Sequence, residues 1–220
     1  MDRVLRIVPP AAPLGEADAR AEGRGGPGDR DASNDDVLLV AALKAREPGA
    51  VDALMKRHGA HLRRVLTRVL GAHDTEPADV LQEVAVIAWQ SIGRLTEARA
   101  LKAWLTQIAV FTARGLIRRR HRNRWLTFFE DVPERAVPWA SPEMQEAARA
   151  VYRIFDRMPV DERIPFALRM LDGLELDATA AACGTSLATV RRRLVRAERR
   201  FFKMARQCEA LAPWLEAQGT

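Results

Sequence analysis

The residues in this sequence that are best suited to binding chemistry are arginines, and they fall in two groups. One group lies between Arg192 and Lys203, and the other between Arg114 and Arg124. Guanidinium groups make bidentate hydrogen bonds to phosphate oxygens and to the O6 and N7 atoms of guanine. The formal net charge of +6 also favours a polyanionic partner. Together these features indicate nucleic-acid binding.

The first group lies on the second helix of a predicted helix-turn-helix over residues 174–206. Leu174 to Ala182 form a short helix, Gly184 makes the turn, and Ser186 stands at the N-cap of the next helix. Apolar residues then recur at steps of three and four, which places them on one face: Leu187, Val190, Leu194, Ala197, Phe201 and Met204. The opposite face carries the cations Arg192, Arg196, Arg199 and Lys203, flanked by Arg193 and Arg200.

A major groove admits the start of such a helix, so residues there are candidates for contacts with bases, and later residues are candidates for contacts with phosphates. The predicted DNA contacts on this helix are therefore Ser186, Thr189, Arg192, Arg193, Arg196, Arg199, Arg200 and Lys203.

The second group ends a helix that starts near Ala98. Six arginines within eleven residues exceed what the dipole at a helix C-terminus requires. The candidates for holding a DNA backbone are Arg114, Arg118, Arg119 and Arg122. Nearby aromatic residues, Trp104, Phe111 and Trp125, are suited to stacking on unpaired bases, although core packing also accounts for Trp104.

The remaining sequence predicts an all-α protein of two helical bundles, since strand-like alternation is absent. Residues 1–32 are expected to be a disordered tail, and a capping box at Ser33–Asp36 is expected to start the first helix. The first bundle spans 33–126, a proline-rich linker spans 127–142, the second bundle spans 143–208, and 209–220 form a C-terminal tail. Asp161 is predicted to cap the helix that contains Pro165.

The composition argues against several other classes of protein. An apolar fraction of 48% allows real cores, but no uncharged apolar run approaches the roughly twenty residues of a membrane span. Neither cysteine, Cys183 nor Cys208, has a second cysteine at metal-ligand spacing. We therefore expect a cytoplasmic protein without a secretory signal or membrane insertion.

Metal binding and catalysis have weak support in the sequence. His58 and His61 lie three residues apart without a third ligand, so they are predicted to be helix-surface histidines. The single tyrosine, Tyr152, together with His121 and Arg124, evokes a tyrosine recombinase. Tyr152 also fits an apolar helix face, where packing explains it. We predict no catalytic residue, no metal, no cofactor and no small-molecule substrate.

A third helix, over residues 78–92, carries an exposed polar group opposite a buried stripe. Val80, Val84, Ile87 and Ala88 form the stripe, whereas Asp79, Gln82, Glu83 and Gln90 lie on exposed or edge positions. By chemistry alone this polar group is ordinary surface.

Taken together, residues 35–206 resemble an extracytoplasmic-function (ECF) sigma factor of bacterial RNA polymerase. Asp79-Val80-x-Gln82-Glu83 before Ala88-Trp89 is similar to the region-two helix that docks on the coiled coil of the largest polymerase subunit. Ala103-Trp104-Leu105-x-x-Ile108-Ala109 before the arginines resembles the helix that faces the minus-ten promoter element. Region four, which reads the minus-thirty-five element, is matched by three motifs: Met158-Pro159-x-x-x-Arg163, Gly173-Leu174 and Thr189-Val190-x-x-Arg193-Leu194-x-Arg196-Ala197.

The resemblance implies region two over 33–126 and region four over 143–208. It implies core RNA polymerase as a partner, bound through Asp79, Gln82 and Glu83, with promoter DNA and an anti-sigma factor as further partners. The sequence departs from the family pattern at Val110, Phe111 and Gly115 in region two, and at Glu175, Thr179 and Cys183 in region four. A free-standing helix-turn-helix regulator that never contacts polymerase is the alternative.

Overall fold

Every regular element in the computed structural model is helical over the residues it describes, which are 28–70, 77–123 and 141–216. Short 3-10 turns occupy Ile92–Arg94, Ala98–Ala100 and Glu209–Leu211. The α-helices are α1 (Gly28–Lys44), α2 (Ala50–Leu70), α3 (Pro77–Ser91), α4 (Leu101–Asn123), α5 (Pro142–Asp156), α6 (Val160–Met170), α7 (Leu176–Cys183), α8 (Leu187–Ala205) and α9 (Ala212–Glu216).

Helices α1 to α4 enclose the first core. Val80, Val84 and Ala88 of the predicted α3 stripe are buried there, and Ile87 is half-buried. Leu62, Val65 and Leu66 of α2 are completely inaccessible to solvent. Leu101 and Leu105 of α4 close the core from the opposite side. The 3.6-residue period of these apolar positions therefore accounts for which face of each helix is buried.

Aromatic rings fill the second core, where α5, α6 and α8 meet. Phe166 and Phe201 have ring centroids 5.3 Å apart, and Phe155 lies 5.9 and 6.0 Å from the two rings in edge-on geometry. Such arrangements match the quadrupoles of the rings and add to the free energy gained by burying them.

The two bundles are in direct contact. Ile164 and Leu168 of α6, with Ala182 and Cys183 of α7, belong to the apolar core formed by the first four helices. Polar contacts reinforce this packing, and the most buried is made by Arg163, whose side chain is 3% exposed. Its guanidinium donates from Nε to the Val69 carbonyl at 3.1 Å and from Nη2 to the Leu70 carbonyl at 2.9 Å.

Two predicted helix starts were wrong. The first helix begins at Gly28, so Ser33 and Asp36 lie inside it and do not cap it. Serine and asparagine inside a helix, here Ser33 and Asn34, each cost only about half a kcal/mol of helix stability. The burial of Val40 and Leu43 outweighs this cost. Likewise α6 begins at Val160 with Pro159 in the N-cap position. Asp161 lies in the first turn, where its carboxylate faces arginines instead of capping amides.

The C-terminal tail was predicted to start at residue 209, yet residues up to 216 pack on the second core. Leu211 is completely buried, and Trp214 and Leu215 lie partly buried against the same cluster. This packing was not predictable because the segment is too short to display a helical period. Residues 28–32, which were predicted to belong to the disordered tail, lie in α1. The rest of that tail and the predicted linker over 127–142 fall outside the described residues, apart from Ser141, which caps α5, and Pro142, which starts it.

Candidate nucleic-acid interface

The turn between α7 and α8 fixes the start of the predicted recognition helix. Gly184 ends α7 with φ of 60°, a left-handed conformation in which glycine has no steric cost. Ser186 caps α8 as predicted, since its side-chain oxygen accepts from the Thr189 amide at 3.3 Å. The Ser186 and Thr189 hydroxyls are also 2.9 Å apart. Both predicted contact residues therefore already have partners in the chain.

The solvent-facing side of α8 presents a strip of cations. Arg192, Arg199 and Lys203 are exposed as predicted, and so is Arg191, which is not among the predicted contacts. None of these four forms an ion pair with a carboxylate inside the described ranges. The signal that could have identified Arg191 is its place next to Arg192 in the first half of the helix, where a groove is closest.

Three other arginines of α8 have acidic partners on α6. Arg196 and Arg200 bind Glu162, with Nε–Oε distances of 3.3 and 3.0 Å, and Arg193 lies 3.7 Å from Asp161. The Glu162 side chain is largely buried, whereas those of Arg196 and Arg200 remain half-exposed. These arginines therefore hold α6 against α8 and still present charge to solvent.

Helix α4 divides its arginines between the bundle interface and solvent. The Arg114 side chain is 19% exposed; its Nη2 donates to the Cys183 carbonyl at 3.3 Å, and its Nε lies 3.8 Å from Asp161. Arg118 lies 3.7 Å from the same carboxylate but is 59% exposed, and Arg119 is exposed. The Arg122 side chain falls outside the described residues. One carboxylate, that of Asp161, thus faces arginines from both predicted DNA-binding helices.

The polar group on α3 forms a continuous surface. Asp79, Gln82, Glu83 and Gln90 are all exposed, in the places their spacing predicted. Val86, which was not among the predicted residues of this surface, lies among them and is 47% exposed. Its spacing from Asp79 and Gln82 by seven and four residues is the signal that places it on the same face. The surface therefore combines acidic and amide groups around an apolar centre.

Comparison with known proteins identifies the two halves separately. Residues 54–123 match the family model described as "Sigma-70 region 2", and residues 148–201 match "Sigma-70, region 4". The ECF RNA polymerase sigma factor SigM of Mycobacterium tuberculosis is 30% identical over 170 residues, which cover 77% of this chain and 84% of SigM. The chain belongs to the ECF RNA polymerase sigma factors. Its function is accordingly to associate with core RNA polymerase and direct promoter recognition in transcription initiation.

Solved structures agree with the helical fold of this sigma factor. The structure of CnrH in complex with the cytosolic domain of CnrY has a TM-score of 0.53 at 24% identity, covering 77% of this chain and 96% of CnrH. The sigma factor RpoE of Bartonella quintana, in complex with the anti-sigma factor NepR, has a TM-score of 0.52 at 21% identity, covering 80% of this chain and 98% of RpoE.

The prediction that His58 and His61 are helix-surface histidines was wrong for His58, which is buried, and His61 is half-buried. His58 is buried, with Nε2 3.1 Å from an Asp36 oxygen, and burial lowers its pKa despite that carboxylate. His61 Nε2 lies 2.8 Å from the Thr106 hydroxyl. Burial, followed by the charges of Lys102 and a neighbouring arginine, lowers the His61 pKa to about 3. Both residues are neutral structural groups, and the described residues contain no cluster of three potential metal ligands.

Tyr152 is a core residue, as its apolar helix face indicated, and Cys183 is buried as well. Burial raises the pKa of the Tyr152 hydroxyl above its usual value, and the ring packs edge-on against Phe155 at 5.8 Å. Burial also raises the pKa of the Cys183 thiol to about 11. A nucleophile needs a lowered pKa and access to its substrate, so Tyr152 does not fit a recombinase nucleophile.

In the described part of the chain, no helix has the length and apolar character of a membrane span.

Proposed function

We propose that this cytoplasmic sigma factor is a two-part promoter reader in which α3 docks on polymerase, α4 holds DNA near the minus-ten element, and α8 enters the groove at the minus-thirty-five element. The observation that carries this proposal is the segregation of charge. Acidic and amide groups occupy the exposed face of α3, whereas α4 contains no acidic residue and α8 exposes unpaired arginines within the described chain.

On α8, Arg192 is the candidate for reading bases, with Arg191 beside it. Arg199 and Lys203 lie two to three turns further along, where they would meet phosphates. Arg193, Arg196 and Arg200 have weaker support than their spacing suggested, because Asp161 and Glu162 already neutralise them in part. Region two and region four would correspond to the bundles predicted over 33–126 and 143–208.

The test of this division compares Arg192→Ala with Lys203→Ala. We expect Arg192→Ala to cost about 1–3 kcal/mol on the preferred promoter and to relax sequence preference. Lys203→Ala should weaken all sequences alike and lower the salt dependence. Binding to a randomised duplex library, sequenced after selection, measures both effects. Equal and sequence-independent losses from the two variants would contradict the proposed orientation.

The α3 face is tested by replacing Asp79, Gln82 and Glu83 with alanine in one variant. These side chains are exposed, so the far-UV helical signal should be retained while association with purified core polymerase is lost. Val86→Ser should weaken the same association because it removes the apolar centre of the face. Asp52, an exposed acid on α2, provides the control substitution Asp52→Asn. Unchanged polymerase capture by the triple variant would exclude this docking surface.

Run-off transcription with purified core enzyme on randomised promoters joins both tests and identifies the sequence that is read. An anti-sigma factor is a further expected partner, since RpoE of Bartonella quintana was solved in complex with the anti-sigma factor NepR, and CnrH with the cytosolic domain of CnrY. The direct contact between the bundles supports regulation of this kind, because the Arg114 side chain is largely covered while the bundles are together.

A further inference from the structure

The turn that ends α1 contains an arginine where the backbone favours glycine. The Glu47 amide donates to the Ala42 carbonyl at 3.0 Å. The Arg46 amide donates to the Leu43 carbonyl at 3.2 Å, and the two bonds form the Schellman pattern of a helix end. Arg46 has φ of 60°, and within the described residues it is the one non-glycine residue with a positive φ. A side chain disfavours this left-handed conformation, so arginine lowers the stability of the turn.

The Arg46 side chain contacts the end of α3. The central carbon of its guanidinium lies 4.4 Å from the centroid of the Trp89 ring, which is a cation–π contact. Its Nη1 also donates to the Trp89 carbonyl. That carbonyl belongs to the last turn of α3, where carbonyls lack intrahelical donors and the helix dipole favours a cation. Arg46 therefore caps a helix end that lies 43 residues later in the chain.

A second cation from the end of α1 holds the chain beyond the 3-10 turn Ile92–Arg94. The Lys44 Nζ donates to the Leu95 carbonyl at 2.8 Å. Lys44 and Arg46 thus bind carbonyls on both sides of that turn, and we call these two residues the α1 clamp. The clamp holds the start of the connecting segment, residues 92–100, which joins α3 to α4.

The connecting segment has little packing of its own. Within it only Ile92 and Leu95 are buried, whereas Arg94 and Arg99 are exposed. A segment with few buried contacts retains conformational freedom unless polar contacts restrict it. The two carbonyl bonds of the α1 clamp supply this restriction. The exposed arginines adjoin the first turn of α4, the helix that is proposed to hold DNA.

We propose that the α1 clamp positions the connecting segment for promoter recognition, so that Arg94 and Arg99 meet promoter DNA without a further loss of conformational entropy. The inference rests on the proposed function, because it requires α3 to face polymerase and α4 to face DNA. Pre-organising a binding segment raises affinity by reducing the entropy lost on binding. This role accounts for an arginine in a left-handed conformation, because the side chain is needed where the backbone disfavours it.

The most direct variant is Arg46→Gly, which removes the side chain and relieves the backbone at the same time. The thermal midpoint should therefore stay close to that of the parent chain. Hydrogen exchange of the full-length chain, followed by mass spectrometry, should be faster by roughly tenfold at residues 92–97, because the lost hydrogen bond came from a charged group. The control Ala45→Gly places glycine at the exposed preceding position without touching the clamp, and should leave this exchange unchanged.

Run-off transcription on a promoter selected from the randomised pool measures the consequence for function. The Arg46→Gly chain should bind core polymerase with the affinity of the parent chain, since the exposed face of α3 is unaltered. The promoter concentration for half-maximal run-off should rise by roughly tenfold, while the rate at saturating promoter stays within about twofold. Lys44→Met removes the bond to Leu95 and should act in the same direction. Arg46→Lys keeps a cation and a donor, and should restore part of the loss.

Four results would overturn the positioning role. The first is unchanged exchange at residues 92–97 in both Arg46→Gly and Lys44→Met. The second is faster exchange with an unchanged promoter requirement. The third is a higher promoter requirement in Arg46→Gly alone, without faster exchange, because Arg46 would then contact DNA directly. The fourth is a loss of polymerase affinity in Arg46→Gly, because Arg46 would then contact polymerase.

The proposed function is tested independently by the variant in which Asp79, Gln82 and Glu83 are replaced. If that variant loses polymerase capture while Arg46→Gly behaves as the parent chain, the clamp is overturned and docking through α3 stands. If the triple variant captures polymerase normally, docking through α3 fails. Faster exchange in Arg46→Gly would then reveal a purely structural contact, which overturns the inference as well.

Discussion

Arg163 offers the most informative single perturbation, since it joins the two bundles through the end of α2. The last carbonyls of a helix lack intrahelical partners, and the negative end of the dipole favours a cation there. Arg163 supplies hydrogen-bond donors to the Val69 and Leu70 carbonyls and a positive charge at this end of the helix. Its Nη1 also donates to Asp156 at 2.6 Å. Arg163→Met retains much of the apolar stem and removes all three hydrogen bonds.

The expected magnitude follows from the two bonds that cross between the bundles. A hydrogen bond to a charged group contributes about 1.5–3 kcal/mol. The lower figure applies because both carbonyls regain water when the bundles separate, so the two bonds together give about 3 kcal/mol. The Asp156 bond is left out because it lies within the second bundle and its carboxylate is 45% exposed. Since each 1.4 kcal/mol is a tenfold change, Arg163→Met should shift the balance toward separated bundles by roughly 100-fold.

Fluorescence energy transfer between the bundles measures this shift. Lys56 on α2 and Glu198 on α8 are exposed and provide labelling sites as cysteines, in a background where Cys208 is serine and Cys183 stays buried. Transfer efficiency should fall in Arg163→Met while the helical signal is kept. The matched control is Arg157→Met, at an exposed arginine that follows α5. Unchanged transfer together with a lower thermal midpoint would refute the reasoning, because Arg163 would then stabilise the second bundle without coupling it to the first.

Three further predictions concern stability and charge. The His61 pKa is about 3 in the folded chain and near 6.5 in the unfolded chain, so the unfolded state binds more protons between these pH values. The free energy of unfolding should therefore decrease as the pH falls from 6.5 to 3. Denaturant titrations at several pH values should show a smaller decrease for His61→Gln. Asp161→Asn removes the carboxylate shared by three arginines and should raise DNA affinity a few-fold at low salt, measured by fluorescence anisotropy; Asp52→Asn is the control, and equal affinities would contradict the shared role. Leu211→Ala should lower the unfolding free energy by about 2–5 kcal/mol, and a loss below 1 kcal/mol would show that the C-terminal segment is not packed in solution.

The helices were predictable because their signals are local. The period of apolar residues located α3, predicted over 78–92 and observed over Pro77–Ser91, and it located the buried face of α8; the Gly184 turn and the Ser186 cap located the start of α8. The wrong start of α1 has the same origin. Ser33 to Asp36 match a capping box by sequence. A capping box indicates only a local preference for starting a helix there, and α1 begins earlier and continues through these residues.

The candidate interface was only partly predictable. Sequence spacing identified the exposed α3 group and the exposed cations of α8, since exposure on an amphipathic helix follows from the opposite, apolar face. Spacing cannot tell which cations already have partners, because Arg193, Arg196 and Arg200 meet acids on a helix about thirty to forty residues earlier. Phe111 is exposed on the same face as Gln107 and Gly115, one turn away on either side, so its exposure follows from its position on α4 and not from its residue type.

The sequence by itself determined the helices, their buried faces, the capped turn before α8 and the family, all of which depend on residues near one another in the chain. Only the tertiary structure decided that the bundles touch, that Arg163 donates to the last carbonyls of α2, and that Asp161 faces both predicted DNA-binding helices. These contacts join residues about thirty to ninety positions apart. Helical periodicity specifies which face of each helix is apolar, but it leaves open which other helix covers that face, and this choice sets the charges that remain for DNA.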